Sequence, residues 1–160
     1  MNAIGLWLVK SQTIGSAVGS VTVTDAFSAD YDNYLITIND GAGSASADIT
    51  LKFGAVATGY YWGIVGSAWG ATPVSGGSNS DTSLRYNGNI DTTNGYTTRI
   101  EVGSPFLSKQ TSVRSSVVIA GGAYNSLGML NATTSFTSFI IAPSSGTLTG
   151  GTIRVYGYNI

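Results

Sequence analysis

Along most of the chain apolar and polar positions alternate with the period of a β-strand. Val21 and Val23 stand against Thr22 and Thr24, and Ile49, Leu51 and Phe53 share one face while Thr50 and Lys52 take the other. Ile100 and Val102 oppose Arg99 and Glu101, Leu84 and Tyr86 oppose Arg85 and Asn87, and Val113, Val117 and Ile119 oppose Arg114 and Ser116. Ile153 and Val155 alternate with Arg154, Tyr156 and Tyr158. This is the pattern of strands with one face in a core and one in water. Three further runs read as strands: Gly5–Gln12 with Trp7, Leu35–Ile38 ending at the turn signal Asn39-Asp40-Gly41, and Phe136–Ile141 closed by Pro143. No window carries the i, i+3, i+4, i+7 stripe of an amphipathic helix. About nine short strands separated by Gly, Ser and Asn turns predict an all-β fold, a two-sheet antiparallel sandwich of the jelly-roll kind.

No linker and no fixed-period repeat divides the chain, so residues 1–160 read as a single domain. The expected core is Trp7, Val21, Val23, Ile36, Ile38, Ile49, Leu51, Phe53, Ile100, Val102, Val117, Ile119, Phe139, Ile141, Ile153 and Val155. The least regular stretch, Ala55–Ser83, holds Tyr60, Tyr61, Trp62 and Trp69. It reads as one strand over Tyr60–Val65 followed by a long loop. On a strand Tyr60 and Trp62 point one way and Tyr61 the other, so the cluster serves a core, an interface or an aromatic platform for a glycan.

Composition narrows the function. Charged residues make up 9% of the chain, against roughly 25% in an average soluble domain. The net charge of −1 and the scatter of the seven basic residues argue against nucleic acid. The long uncharged runs Phe53–Ser80 and Ser115–Ile153 are broken by Gly, Ser, Thr and Asn, which argues against membrane helices. No signal peptide is legible at the start.

There is no histidine and no cysteine. A Ser-His-Asp triad, an imidazole base, a thiol nucleophile and the usual zinc sets are therefore missing. Gly41-Ala42-Gly43 lacks the Gly or Lys that a phosphate loop requires further on. Paired carboxylates would be the remaining route, but Asp25, Asp30, Asp32, Asp40, Asp48, Asp81, Asp91 and Glu101 fall mostly in turn contexts. Asp30-Tyr31-Asp32-Asn33 offers oxygen ligands for calcium in pattern only and reads as a turn. Neither a catalytic residue nor a metal or other cofactor is expected. Mid-strand Arg85, Arg99, Arg114 and Arg154, with Glu101, read either as a solvated face or as a polar contact surface between copies. With Tyr60, Tyr61, Trp62 and Trp69 they form the candidate interface set.

The phrases GLWLVKSQTIGSAVGSVTVTDAFSADYDNYLITI, LKFGAVATGYYWG and SFTSFIIAPSSGTLTGGTIRVYGYN resemble a small domain of tailed-phage virion proteins, common among phages of cyanobacteria and other aquatic bacteria. The stretch Gly150–Tyr158 is the most specific part. The resemblance implies a jelly-roll-like domain on the outer surface of the virion, either a capsid decoration (cement) protein bound to the major capsid protein or the receptor- or glycan-binding head of a tail fibre. No heptads or fibre shaft precede the domain, which favours decoration. A homotrimer around local three-fold positions of the head is the expected assembly.

Overall fold

The computed structural model describes residues 5–70, 73–119 and 121–159, and among these there are fourteen strands and no helix. They are β1 (Gly5–Thr13), β2 (Val21–Val23), β3 (Asn33–Asn39), β4 (Ala42–Gly43), β5 (Ala47–Phe53), β6 (Tyr60–Ala68) and β7 (Pro73–Asp81), followed by β8 (Asn89–Asp91), β9 (Gly95–Gly103), β10 (Thr111–Ile119), β11 (Gly122–Leu130), β12 (Phe139–Pro143), β13 (Leu148–Thr149) and β14 (Thr152–Asn159). All pairings are antiparallel. The large sheet runs β1-β14-β3-β9-β10-β11-β6-β7 and the small one β2-β12-β5-β8, with β8 also pairing β9 at one corner. β4 and β13 form a separate pair.

The connectivity is that of a jelly roll. β1 pairs β14, β2 pairs β12, β3 pairs β9, and β5 pairs β8, so the chain folds back on itself in successive rungs. The rungs are joined sideways by β14·β3 in one sheet and β12·β5 in the other. Two excursions interrupt this plan: β6–β7 between β5 and β8, and β10–β11 between β9 and β12. They pair as β9-β10-β11-β6-β7 and extend the large sheet well past the small one.

The core lies between the sheets. Ile36, Ile38, Ile49, Leu51, Phe53, Ile100, Phe139, Ile141, Ile153 and Val155 are fully buried, as the alternation predicts. Phe27, from the connection between β2 and β3, joins them edge-on to Tyr34 at 4.9 Å. The Tyr34 hydroxyl accepts from the Ser28 amide at 2.8 Å and donates to the Ser28 carbonyl at 3.0 Å, so this buried ring leaves no polar atom unpaired.

Four sequence expectations need correction. Trp7 is 52% exposed because β1 is the edge of the large sheet, beyond the reach of the small one. Ile119 is only partly buried, at the far end of β10. The loop expected after Val65 is instead the rest of β6 and all of β7. Its inward positions include Gly66 and Gly76, and a Cβ on Gly66 would stand 2.1 Å from the Ala123 carbonyl oxygen, so apolar alternation is interrupted there.

The strand expected over Leu84–Asn87 is an irregular crossing beneath β10 and β11. Leu84 still exchanges two 2.9 Å backbone hydrogen bonds with Leu51. Tyr86 breaks any ladder because its φ is +56°, the left-handed region that a bulky residue rarely occupies. Cross-strand neighbours Ser115 and Ser126, both buried, hold the crossing by donating to the carbonyls of Tyr86 at 3.2 Å and Arg85 at 2.9 Å.

Candidate interaction surfaces

The outer face of the large sheet is built in rows set by the register. One row reads Leu8·Tyr156·Leu35·Glu101·Arg114·Leu127·Gly63 across seven strands. The row on one side carries Arg154·Thr37·Arg99, and the row on the other carries Asn33·Gly103·Ser112·Met129·Tyr61. Arg99 and Glu101 thus share a face as their spacing predicts, and Arg114 lies directly across from Glu101. Between these rows runs an open groove of about 670 Å³, lined by Asn33, Glu101, Gly103, Ser112, Arg114, Leu127 and Tyr158 among others. Gly103 supplies no side chain to its floor.

The ion pairs among the described residues are Lys10–Asp25 and Arg85–Asp48, so neither Glu101 nor Arg114 closes one despite being opposite neighbours. Asn33, Ser112 and Tyr158 were not singled out from the sequence. Only the register assembles them, because they stand on β3, β10 and β14.

The other members of the candidate set are dispersed. Arg85 lies on the opposite side of the sheet, 3.5 Å from Asp48 and 5.5 Å from the centre of the Tyr86 ring. Tyr60 is fully buried. Its hydroxyl accepts from the Phe53 amide at 2.9 Å and donates to the Val56 carbonyl at 3.1 Å, so it belongs to the core and not to an interface. Trp62 faces inward against Tyr86 at 5.4 Å, while Tyr61 faces outward and accepts from Asn131 at 3.4 Å. Trp69 is 59% exposed beyond the end of β6, its indole donating to the Ile119 carbonyl at 3.2 Å.

Apart from Leu127 in the groove, the large exposed apolar side chains gather towards the two ends of the large sheet. Leu6, Trp7 and Leu8 line the free edge of β1; Val65, Trp69 and Val118 lie on the far extension. On the inner side, a cleft of about 270 Å³ separates Asp48, Tyr86 and Asn89 from Val117 and Tyr124. Asp48 is committed there: Ser144 donates to it at 2.6 Å and Arg85 covers its other oxygen.

The remaining acids serve local structure. Asp91 accepts from the amides of Thr93 at 2.7 Å and Asn94 at 3.1 Å, which hold its pKa below the ordinary value. Asp81 binds the Trp62 indole and the Thr82 amide. Asp30 accepts from the Ser28 hydroxyl at 2.9 Å in the turn before β3. Among the described residues no group of three or more His, Cys, Asp or Glu is placed to hold a metal ion.

No protein-family model, curated protein or solved structure matches the chain. The likeness to virion proteins therefore rests on the sequence phrases quoted above.

Proposed function

We propose that this chain is a non-enzymatic structural protein of the outer virion surface, a capsid decoration protein that bridges coat subunits. The observation that carries the reading is the run Leu6, Trp7 and Leu8, exposed at 45%, 52% and 58% on a free strand edge. Unpaired edges lined with apolar side chains are normally twisted away, charged or covered by a partner. On β1 the pairing with β14 runs unbroken through Leu6, Trp7 and Leu8, the register shifts only between Leu8 and Lys10, and the lysine of the strand, Lys10, is paired with Asp25. A cement protein acts by binding assembled subunits more tightly than dispersed ones, which stabilises the shell by mass action and needs no chemistry. The absence of histidine and cysteine and the local commitments of Asp48, Asp81 and Asp91 agree with a role without catalysis. A trimer about a three-fold position of the head would close the contacts of each copy and stop edge-to-edge growth.

The second reading, the receptor-facing head of a tail fibre, is favoured by the outer groove, whose Glu101 and Arg114 form no ion pair among the described residues. Electron cryomicroscopy of intact particles tests both. Density for the jelly roll on the head shell with the β1 edge against coat protein is the expected result. Density confined to the tail would overturn the decoration reading.

A further inference from the structure

We propose that the outer groove over Gly103 binds a carboxylate-bearing oligosaccharide, Arg114 taking a carboxylate while Glu101, Asn33 and Ser112 take hydroxyl groups. The inference rests on the second reading only in requiring this face to be open to solvent on the particle; it holds on head or tail.

The first support is that the polar groups of the groove are unspent. Among the described residues, Asn33, Glu101, Ser112, Arg114 and Tyr158 make no side-chain hydrogen bond or ion pair within the chain. This is unusual for an Arg and a Glu placed directly across two strands, where opposite charges ordinarily attract. A Cβ on Gly103 would stand 2.6 Å from Ser112 Oγ and 3.4 Å from Asn33 Oδ1, so these two atoms converge on the space that the glycine leaves empty. The volume, about 670 Å³, is that of a small-molecule site, for which 300–1,000 Å³ is usual.

Electrostatics selects an anion. Arg99, Arg114 and Arg154 all project from this face, with Glu101 as the acid among them, on a chain whose net charge is −1. A guanidinium fork matches a carboxylate in two parallel hydrogen bonds. Arg154 and Arg99 stand in one row two strands apart, about 10 Å by ordinary strand spacing, and Arg114 is on the strand beyond. An extended ligand with repeated carboxylates would meet them in turn.

The rest of the lining selects a sugar. Asn and Ser side chains both donate and accept, as hydroxyl-rich ligands require, and Tyr158 offers an amphipathic ring at the groove wall. Glu101 favours a sugar over a nucleic acid: it repels any anionic group placed against it, and an oligosaccharide can set hydroxyl donors there while its carboxylate lies on Arg114, whereas a phosphate backbone carries a charge at every step.

The test is isothermal titration of the full chain with a short oligogalacturonate, its methyl ester, and a single-stranded DNA oligomer. Saturable binding of the uronate is expected, weakened at least ten-fold by Arg114→Ala and lost on esterification. Lys52→Ala, on β5 of the small sheet, should leave it unchanged. Any of three results overturns the site: no saturable uronate binding up to millimolar ligand, an unweakened Arg114→Ala variant, or the ester or DNA binding as tightly as the uronate. Such a failure leaves the location of the protein on the particle untouched, and a head or tail location leaves the site standing.

Discussion

The indole Nε1 of Trp62 donates to Oδ2 of Asp81 at 2.8 Å, tying the inward face of β6 to the last residue of β7. Burial by itself would raise the pKa of Asp81. The Trp62 bond, the Thr82 and Ser83 amides and the charge on Arg85 outweigh it and hold the carboxyl below its ordinary 3.8. A carboxyl depressed on folding contributes stability that is present above the unfolded value and is lost as pH falls through the folded one. Acid should therefore loosen the β6–β7 hairpin, read as a change in tryptophan fluorescence with a midpoint below pH 3.8. Asp81→Asn keeps an acceptor for the indole but cannot titrate, so it should flatten this transition. An unchanged transition in that variant would assign it to other carboxylates.

Phe53 is fully buried, with Phe136 at 5.6 Å and Phe27 at 6.1 Å between ring centres. Phe53→Ala should cost about 3–5 kcal/mol in denaturant unfolding, as large core truncations do. A loss below about 1 kcal/mol, typical of surface positions, would contradict the packing described.

Tyr60→Phe preserves the ring and removes only the hydroxyl, leaving the Phe53 amide and the Val56 carbonyl without their partner. The expected cost is about 1–3 kcal/mol, the penalty of an unpaired buried polar group. Burial raises the Tyr60 pKa above 10.0, partly countered by the Phe53 amide. The sign is opposite to that of Asp81: the protonated form is favoured on folding, so stability is present below pH 10.0 and is lost as pH rises through the raised value. Tyr60→Phe should remove this alkaline contribution, measured as the difference in unfolding midpoint between neutral and strongly alkaline buffer.

Trp7→Lys should change the stability of the isolated chain by no more than about 0.5 kcal/mol, as at other exposed sites. Light scattering should show less self-association, and under the proposed capsid role re-binding to particles stripped of the protein should weaken. A stability loss of several kcal/mol would mean that Trp7 packs against the body of the fold.

Strands whose two faces differ in polarity were legible as written: β5, β9 and β14 bury the very residues that their alternation marks. β7 was not, because Val74 is the one apolar residue on an inward face that continues with Gly76 and Ser78. β11 also passed unread, since Gly122, Ser126 and Gly128 occupy inward positions where a core strand would carry apolar groups. Leu84–Asn87 alternates like a strand yet is a crossing, because buried Ser115 and Ser126 bind its carbonyls and Tyr86 turns left-handed. Trp7 misled for another reason: an apolar run marks a buried strand or an edge awaiting a partner, and the pattern does not distinguish them. For the outer groove, the pairing of Arg99 with Glu101 on one face was legible, whereas the Arg114–Glu101 neighbourhood and the approach of Asn33 and Tyr158 depend on long-range register.

The first rung of the jelly roll joins Leu8 on β1 to Tyr156 on β14, almost the full length of the chain apart. During synthesis β1 emerges early but has no strand to pair with until β14 has left the ribosome. Leu6, Trp7 and Leu8 are therefore carried in the open while nearly every other strand is made. Topologies ruled by such distant pairings close their loops late and fold on a millisecond-to-second scale, so the edge that stays open in the folded domain is also where a nascent chain is most prone to stray contacts and most in need of a chaperone.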